Sequence, residues 1–167
     1  MSKDVDIFVP GPSALGYVSP RLNDTVEALT GDYLECAMYT RLVFAEGEID
    51  FIAAGPLTDV PWVPQVVLGR MVLVETVAEI LAKKIRYRAD NFKARDLLDP
   101  GMALRQMPEV TQHVAPWLND KREPSLERLH AANLSLREDF EAIDRVDVSM
   151  SYDECPAVLR DAMRVGR

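Results

Sequence analysis

Cysteine and histidine are scarce in this chain, and nothing in it is both long and apolar. The 167 residues hold two cysteines, Cys36 and Cys155, and two histidines, His113 and His130. Cysteines so far apart give neither metal-ligand spacing nor a disulfide framework. Both histidines stand in helical-looking stretches, where surface or packing roles are the ordinary ones. No apolar run approaches a membrane span, and the opening Met-Ser-Lys-Asp-Val-Asp carries no signal-peptide pattern. No repeat or low-complexity tract appears. With no sign of an oxidising compartment or a membrane, a cytoplasmic location is expected. Acidic residues outnumber basic ones 27 to 19, and the net charge of −8 argues against broad, nonspecific nucleic-acid binding. The length fits one domain, or a core with a small helical appendage.

What the chain does have is a concentration of basic residues in one helical stretch. Lys83, Lys84, Arg86, Arg88, Lys93 and Arg95 fall within 13 positions. Such a run reads either as a solvated helix face or as a local anion site in an acidic protein. With Val77 as origin on a helical wheel, Ile80, Leu81 and Ile85 fall within about 80° of it, an apolar stripe. Lys84 falls about 20° from the origin, inside the stripe, while Lys83 lies on its flank. An ammonium buried without a partner is costly. Lys84 is therefore expected either to meet an anion or to snorkel its head to the surface.

Around that stretch the periodicities predict an α+β fold. Val5–Val9 reads as a strand closed by Pro10-Gly11-Pro12. Ser19-Pro20 reads as an N-cap with proline at the first helical position, opening a helix to about Leu29 and Gly31. Strands over Leu34–Phe44 and Glu48–Ala53 form a hairpin at Ala45-Glu46-Gly47. Pro56, Pro61 and Pro64 predict a loop before a short strand near Met71–Val74. From Glu75 onward the chain reads as helix, over 75–88, from about Asn91 to Asp99, over 102–106, 108–118, 124–143 and 154–165. Residues 1–74 are thus expected to form a small mixed sheet, with a helical region, 75–167, packed on it.

Asp4 and Asp6 alternate on the first strand and share a face. Two carboxylates one pleat apart can hold Mg²⁺, a hard cation. Asp50 is the expected third ligand, with Glu48 one pleat away. A metal held this way can position a nucleoside triphosphate and an attacking hydroxyl. The alternative is a pair of polar residues at a frayed strand start.

Taken together, these pieces resemble a known family. Ser2-Lys3-Asp4-Val5-Asp6-Ile7-Phe8 resembles the Asp-x-Asp strand of polymerase-β-like nucleotidyltransferases. Glu79-Ile80-Leu81-Ala82-Lys83-Lys84-Ile85, followed by Lys93-Ala94-Arg95-Asp96-Leu97-Leu98-Asp99, is similar to the later motifs of AbiEii-type toxins of abortive-infection and toxin–antitoxin systems. The match spans residues 2–105. It implies a nucleotidyltransferase-like core that transfers a nucleotidyl group from an NTP to an RNA or protein hydroxyl, with Mg²⁺ as cofactor. It also implies roles: Asp4 and Asp6 on the metal with Asp50 as the third ligand, Lys84 and Arg95 on the nucleotide, and Asp96 as the essential carboxylate of the last motif. Lys84, Asp96 and the metal face would have to converge on one cleft. A tRNA or protein acceptor and a cognate antitoxin are the partners the resemblance implies.

Two departures accompany it. The family's Gly-Ser turn and helix precede the Asp-x-Asp strand and cradle the triphosphate. They have no counterpart here, which implies weakened or absent catalysis. Pro100 is expected to end the helix at Asp99. The alternative reading is a truncated, non-catalytic remnant acting as a protein-interaction module. Finally, Leu126, Leu129, Asn133, Leu136, Phe140 and Ile143 form a short 3-4-3-4-3 seam, expected either to pack within the chain or to meet a partner helix.

Overall fold

A computed structural model of the chain describes residues 4–130, 134–143 and 150–165. The architecture is α+β, with a mixed four-stranded sheet and a separate β-hairpin followed by a largely helical C-terminal half. The chain divides into two units, Met1–Pro56 and Leu57–Arg167.

In the first unit, β1 (Val5–Val9), β2 (Tyr33–Cys36), β3 (Tyr39–Phe44) and β4 (Gly47–Ala53) form a sheet in the order β1-β4-β3-β2. β1 runs parallel to β4, and the other pairs are antiparallel. The predicted strand over Leu34–Phe44 is therefore two strands, folded back at Ala37-Met38. The predicted hairpin at Ala45-Glu46-Gly47 is present. A 3-10 helix, Pro12–Val18, buries Leu15 in a small core with Leu42 and Ala53.

The predicted helix from Ser19 is not formed. Ser19 accepts a turn hydrogen bond from Leu22 N, and the only helix there is α1 (Asp24–Glu27). Its N-cap is Asn23, whose side chain accepts from Thr25 N at 3.0 Å. Asn is as good a cap as Ser, and it sits one residue before the helix that forms.

The second unit opens with β5 (Trp62–Val67) and β6 (Arg70–Glu75), an antiparallel pair. Its two-residue turn has Leu68 at φ 51° and Gly69 at φ 76°, the positive-φ pair of a type I′ hairpin. β5 carries Pro64, where a loop is expected from sequence. A two-stranded ribbon tolerates proline because each strand has an edge whose N–H groups need no partner.

The helices α2 (Val77–Arg88), α3 (Ala94–Gln106), α4 (Thr111–Asp120), α5 (Arg122–His130), α6 (Leu134–Glu141) and α7 (Glu154–Val165) enclose one core. Phe92, Phe140, Leu81, Ile85, Leu97, Leu118, Leu159 and Met163 are buried in it. Thr76 caps α2, accepting from Glu79 N at 3.2 Å. Pro100 does not end the helix. It lies buried inside α3 and gives up only the one bond its missing N–H would have made to Asp96. The next residue is what the crossing with α7 needs. A Cβ on Gly101 would stand 3.1 Å from Cys155 Sγ and 3.2 Å from Cys155 Cα, so glycine permits the close approach. Leu136 and Phe140 of the expected seam are buried in this core, with Leu126 and Ile143 packed against it. The side chain of Leu129 and residue Asn133 lie outside the described residues.

Candidate functional site

Two charged constellations carry the residues singled out by sequence, one in each unit. In the sheet, the parallel register of β1 and β4 aligns Asp6 with Asp50, and the antiparallel register of β4 and β3 aligns Asp50 with Arg41. Aligned residues of neighbouring strands share a face, so Asp6, Asp50 and Arg41 form a row across three strands. Asp4 and Glu48 share that face one pleat away. Asp4 and Asp6 are exposed.

Arg41 fills the row's centre. Its Nε donates to Asp50 Oδ1 and its Nη2 to Asp50 Oδ2, each at 2.7 Å, while Nη1 stands 2.7 Å from Glu48. The planar guanidinium matches the carboxylate fork, so both Asp50 oxygens are engaged. The bond to Asp50, ahead of the charges of Asp50 and Glu48, holds the Arg41 pKa above the ordinary arginine value. Among the described residues no three His, Cys, Asp or Glu side chains gather as a metal needs. The carboxylate set does not close around a cation while Arg41 is seated.

In the helical unit, α2 presents both lysines to carboxylates, with their burial reversed from the wheel. The buried residues are Glu79, Leu81, Ala82, Lys83 and Ile85, whereas Val77 and Ile80 are exposed. The wheel had no term for Glu79. That carboxylate is completely buried because four donors satisfy it: Leu57 N to both oxygens, at 3.0 and 3.1 Å, Thr58 N at 2.9 Å, Thr58 Oγ1 at 2.8 Å, and Lys83 at 3.5 Å. Lys83 also pairs with Glu75. This network pins the segment before β5 to α2 and rotates the helix so that Lys83, not Lys84, faces inward. The spacing of Glu79 and Lys83, i and i+4 with Glu first, is the one sequence signal that announces it.

Lys84 is half-buried and meets an anion, as one of its two expected outcomes had it. Its ammonium pairs with Asp99 and stands 4.0 Å from Asp96 Oδ1, both on α3. Asp96 is buried and accepts from two donors. Arg88 Nη1 reaches Oδ1 at 2.9 Å, and Lys93 N donates to Oδ2 at 3.1 Å, capping α3. Arg128 of α5 donates twice to the Phe92 carbonyl, at 3.1 and 2.9 Å, and so fixes the interval between α2 and α3.

Arg86 lies over the Trp117 ring at 5.1 Å. Lys93 and Arg95 are exposed. Four of the six residues in the basic run, Lys83, Lys84, Arg86 and Arg88, are thus engaged within the fold. Sequence reasoning gave no role to Arg41, Arg88 or Asp99, which make four of the ion pairs in the two constellations.

The chemistry each constellation permits differs. Asp50 is locked by a bidentate cation. Lys84 is a point charge shared between a buried carboxylate and one that is 48% exposed at its side chain. Asp4, Asp6 and Asp50 belong to the first unit, and Lys84, Arg95 and Asp96 to the second. Among the described residues, no helix is long and apolar enough to cross a membrane. No protein-family model matches the chain, and no curated protein or solved structure shows significant similarity to it.

Proposed function

We propose that the chain is a nucleotidyltransferase-like protein of the AbiEii type, whose nucleotide-phosphate contact is Lys84. One arrangement carries this reading: a half-buried lysine held over the N-terminal turn of α3 between Asp96 and Asp99. The buried Asp96 and its Arg88 partner fix the approach, and Asp99 holds the ammonium in place until a phosphate replaces it. In the reaction so implied, an acceptor hydroxyl of RNA or protein attacks the α-phosphorus and pyrophosphate leaves. A cognate antitoxin is the partner such a toxin needs. Recruiting Asp50 as the third Mg²⁺ ligand beside Asp4 and Asp6 would require Arg41 to leave it.

That last requirement favours a second reading, a non-catalytic remnant that binds a protein partner. The experiment is titration of each NTP with Mg²⁺ into the whole chain and into Lys84→Ala. Saturable binding that weakens at least about tenfold in the variant, as loss of a charged phosphate contact should produce, supports the enzyme. A folded protein that binds no NTP leaves the second reading.

A further inference from the structure

Between α5 and α7 the helical unit has a cavity of about 220 Å³, lined by Arg122 and Leu126 of α5 and by Arg160, Met163 and Arg164 of α7. Helical spacing accounts for the set. Residues 122 and 126 are i and i+4 on one helix, and 160, 163 and 164 are i, i+3 and i+4 on the other, so each group shares a face. Three of the five are arginines, and among the described residues no carboxylate lines the cavity, in a chain of net charge −8. The arginines are unequally committed. Arg122 is half-buried, and its Nη1 donates to the Met163 carbonyl at 3.2 Å, in the last turn of α7. That bond uses one of the five donors of a guanidinium. Arg164 pairs with Asp161 at 2.9 Å, with the two side chains 74% and 71% exposed, so the pair holds it weakly. Arg160 is half-buried, and its guanidinium has no hydrogen-bond or ion-pair partner among the described residues. Arg160 and Arg164 are also like charges at i and i+4, which destabilises a helix. The C-terminal end of a helix favours a cation, but Arg122 on the Met163 carbonyl already meets that preference, and two more arginines crowd the same cavity.

We propose that this cavity binds a small phosphate monoester, with its phosphate among Arg122, Arg160 and Arg164 and its carbon part against Leu126 and Met163. A phosphate carries about −1.5 to −2 charge at neutral pH and three strong acceptor oxygens, enough to engage more than one guanidinium fork. A carboxylate brings one charge and two oxygens, and leaves the third arginine unmatched. The apolar pair favours an ester over the free ion, because it gives the carbon part surface to cover. Met163 is buried and Leu126 half-buried, so that surface is part of the packed unit. The volume is below the roughly 300–1,000 Å³ of drug-sized pockets, which keeps the ligand compact. The site shares no residue with the Lys84 cluster and stands independently of the nucleotide reading. A nucleic-acid strand fits less well, since the net charge of the chain repels it.

The test is calorimetric titration of phenyl phosphate, inorganic phosphate and sulfate into the whole chain in phosphate-free buffer. Phenyl phosphate should saturate with a Kd of about 0.1–1 mM, as a few charge-assisted contacts at a solvent-open site give. Inorganic phosphate should bind severalfold more weakly. Arg160→Gln should weaken phenyl phosphate binding at least about tenfold. Its guanidinium has no bond in the fold to lose, so this variant should melt no lower than the wild type in the same buffer. Arg164→Gln, a second variant that gives up only an exposed pair, should weaken binding severalfold. Arg70→Gln, the same change of charge on β6, should leave binding intact. A wild type that shows no saturable binding up to about 10 mM overturns the proposal. So does equal weakening by Arg160→Gln and Arg70→Gln, and so does sulfate binding as tightly as phenyl phosphate. Binding lost in Lys84→Ala but kept in Arg160→Gln would put the phosphate at the Lys84 cluster and overturn it too.

Discussion

The sheet and the helical unit each set a basic side chain among aspartates, and they do it with opposite mobility. In the sheet, Arg41 engages both oxygens of Asp50. In the helical unit, Lys84 shares its charge between a buried Asp96 and a more exposed Asp99. A guanidinium fork fixes its carboxylate in the plane of two bonds. An ammonium can trade one partner for another without losing its position. The contrast teaches where exchange is possible. On the proposed reading the helical cluster exchanges Asp99 for a phosphate, whereas in the sheet row Arg41 holds both oxygens of Asp50.

The sharpest way to break this contrast is to remove the carboxylates. Asp96→Ala leaves Arg88 and Lys84 without their buried partner and uncaps α3, and should cost about 3–5 kcal/mol of stability in denaturant unfolding. Asp50→Ala removes a half-buried partner but leaves Arg41 its pairing with Glu48, and should cost about 1 kcal/mol. Equal losses would mean that the two sites are alike. Next in size is Arg41→Lys, which swaps the fork for a point charge. It should free one Asp50 oxygen and raise divalent-cation affinity at the sheet face about tenfold by calorimetry. If the affinity does not change, Arg41 is not the lock.

The smallest effect lies outside both clusters. Ser151 N and Oγ donate to Glu154 Oε2 at 2.7 and 2.8 Å, at the start of α7. Those bonds, backbone first, hold the Glu154 pKa below the ordinary value. A folded-state pKa that is lowered stabilises above the ordinary glutamate value of about 4.3. That contribution is lost as pH falls through the folded-state pKa. Glu154→Gln should therefore lower stability slightly at neutral pH, leave it unchanged at low pH, and so flatten the acid limb of the stability curve. A steeper limb in the variant would contradict the assignment.

Where the local pattern agreed with the tertiary one, the elements could be read from sequence. β1 falls on Val5–Val9 and α7 on Glu154–Val165, because alternation and helical period are uninterrupted there. β5 was hidden by Pro64, a breaker in most strands but harmless in a free ribbon. The helix at Ser19 failed because two good caps lie four residues apart and local sequence cannot choose between them. Pro100 misled because its missing hydrogen bond costs less than the packing of α3 on α7 at Gly101 contributes.

In the candidate cluster, the wheel put Lys84 in the apolar stripe and left an anion partner or snorkelling open, and it missed the burial of Lys83. That depends on Leu57 and Thr58, more than 20 residues before Glu79. The row of Asp6, Asp50 and Arg41 is likewise a consequence of strand register. Asp50 followed from alternation, whereas Arg41 needed the β3–β4 alignment.

The most direct measurement is Mg²⁺–NTP affinity of Asp99→Asn beside the wild type and Lys84→Ala. If phosphate replaces Asp99 at Lys84, removing that competing carboxylate should tighten binding severalfold, and removing the ammonium should abolish the gain. Unchanged affinity in Asp99→Asn and Lys84→Ala alike would contradict the claim that this cluster is an exchangeable anion site.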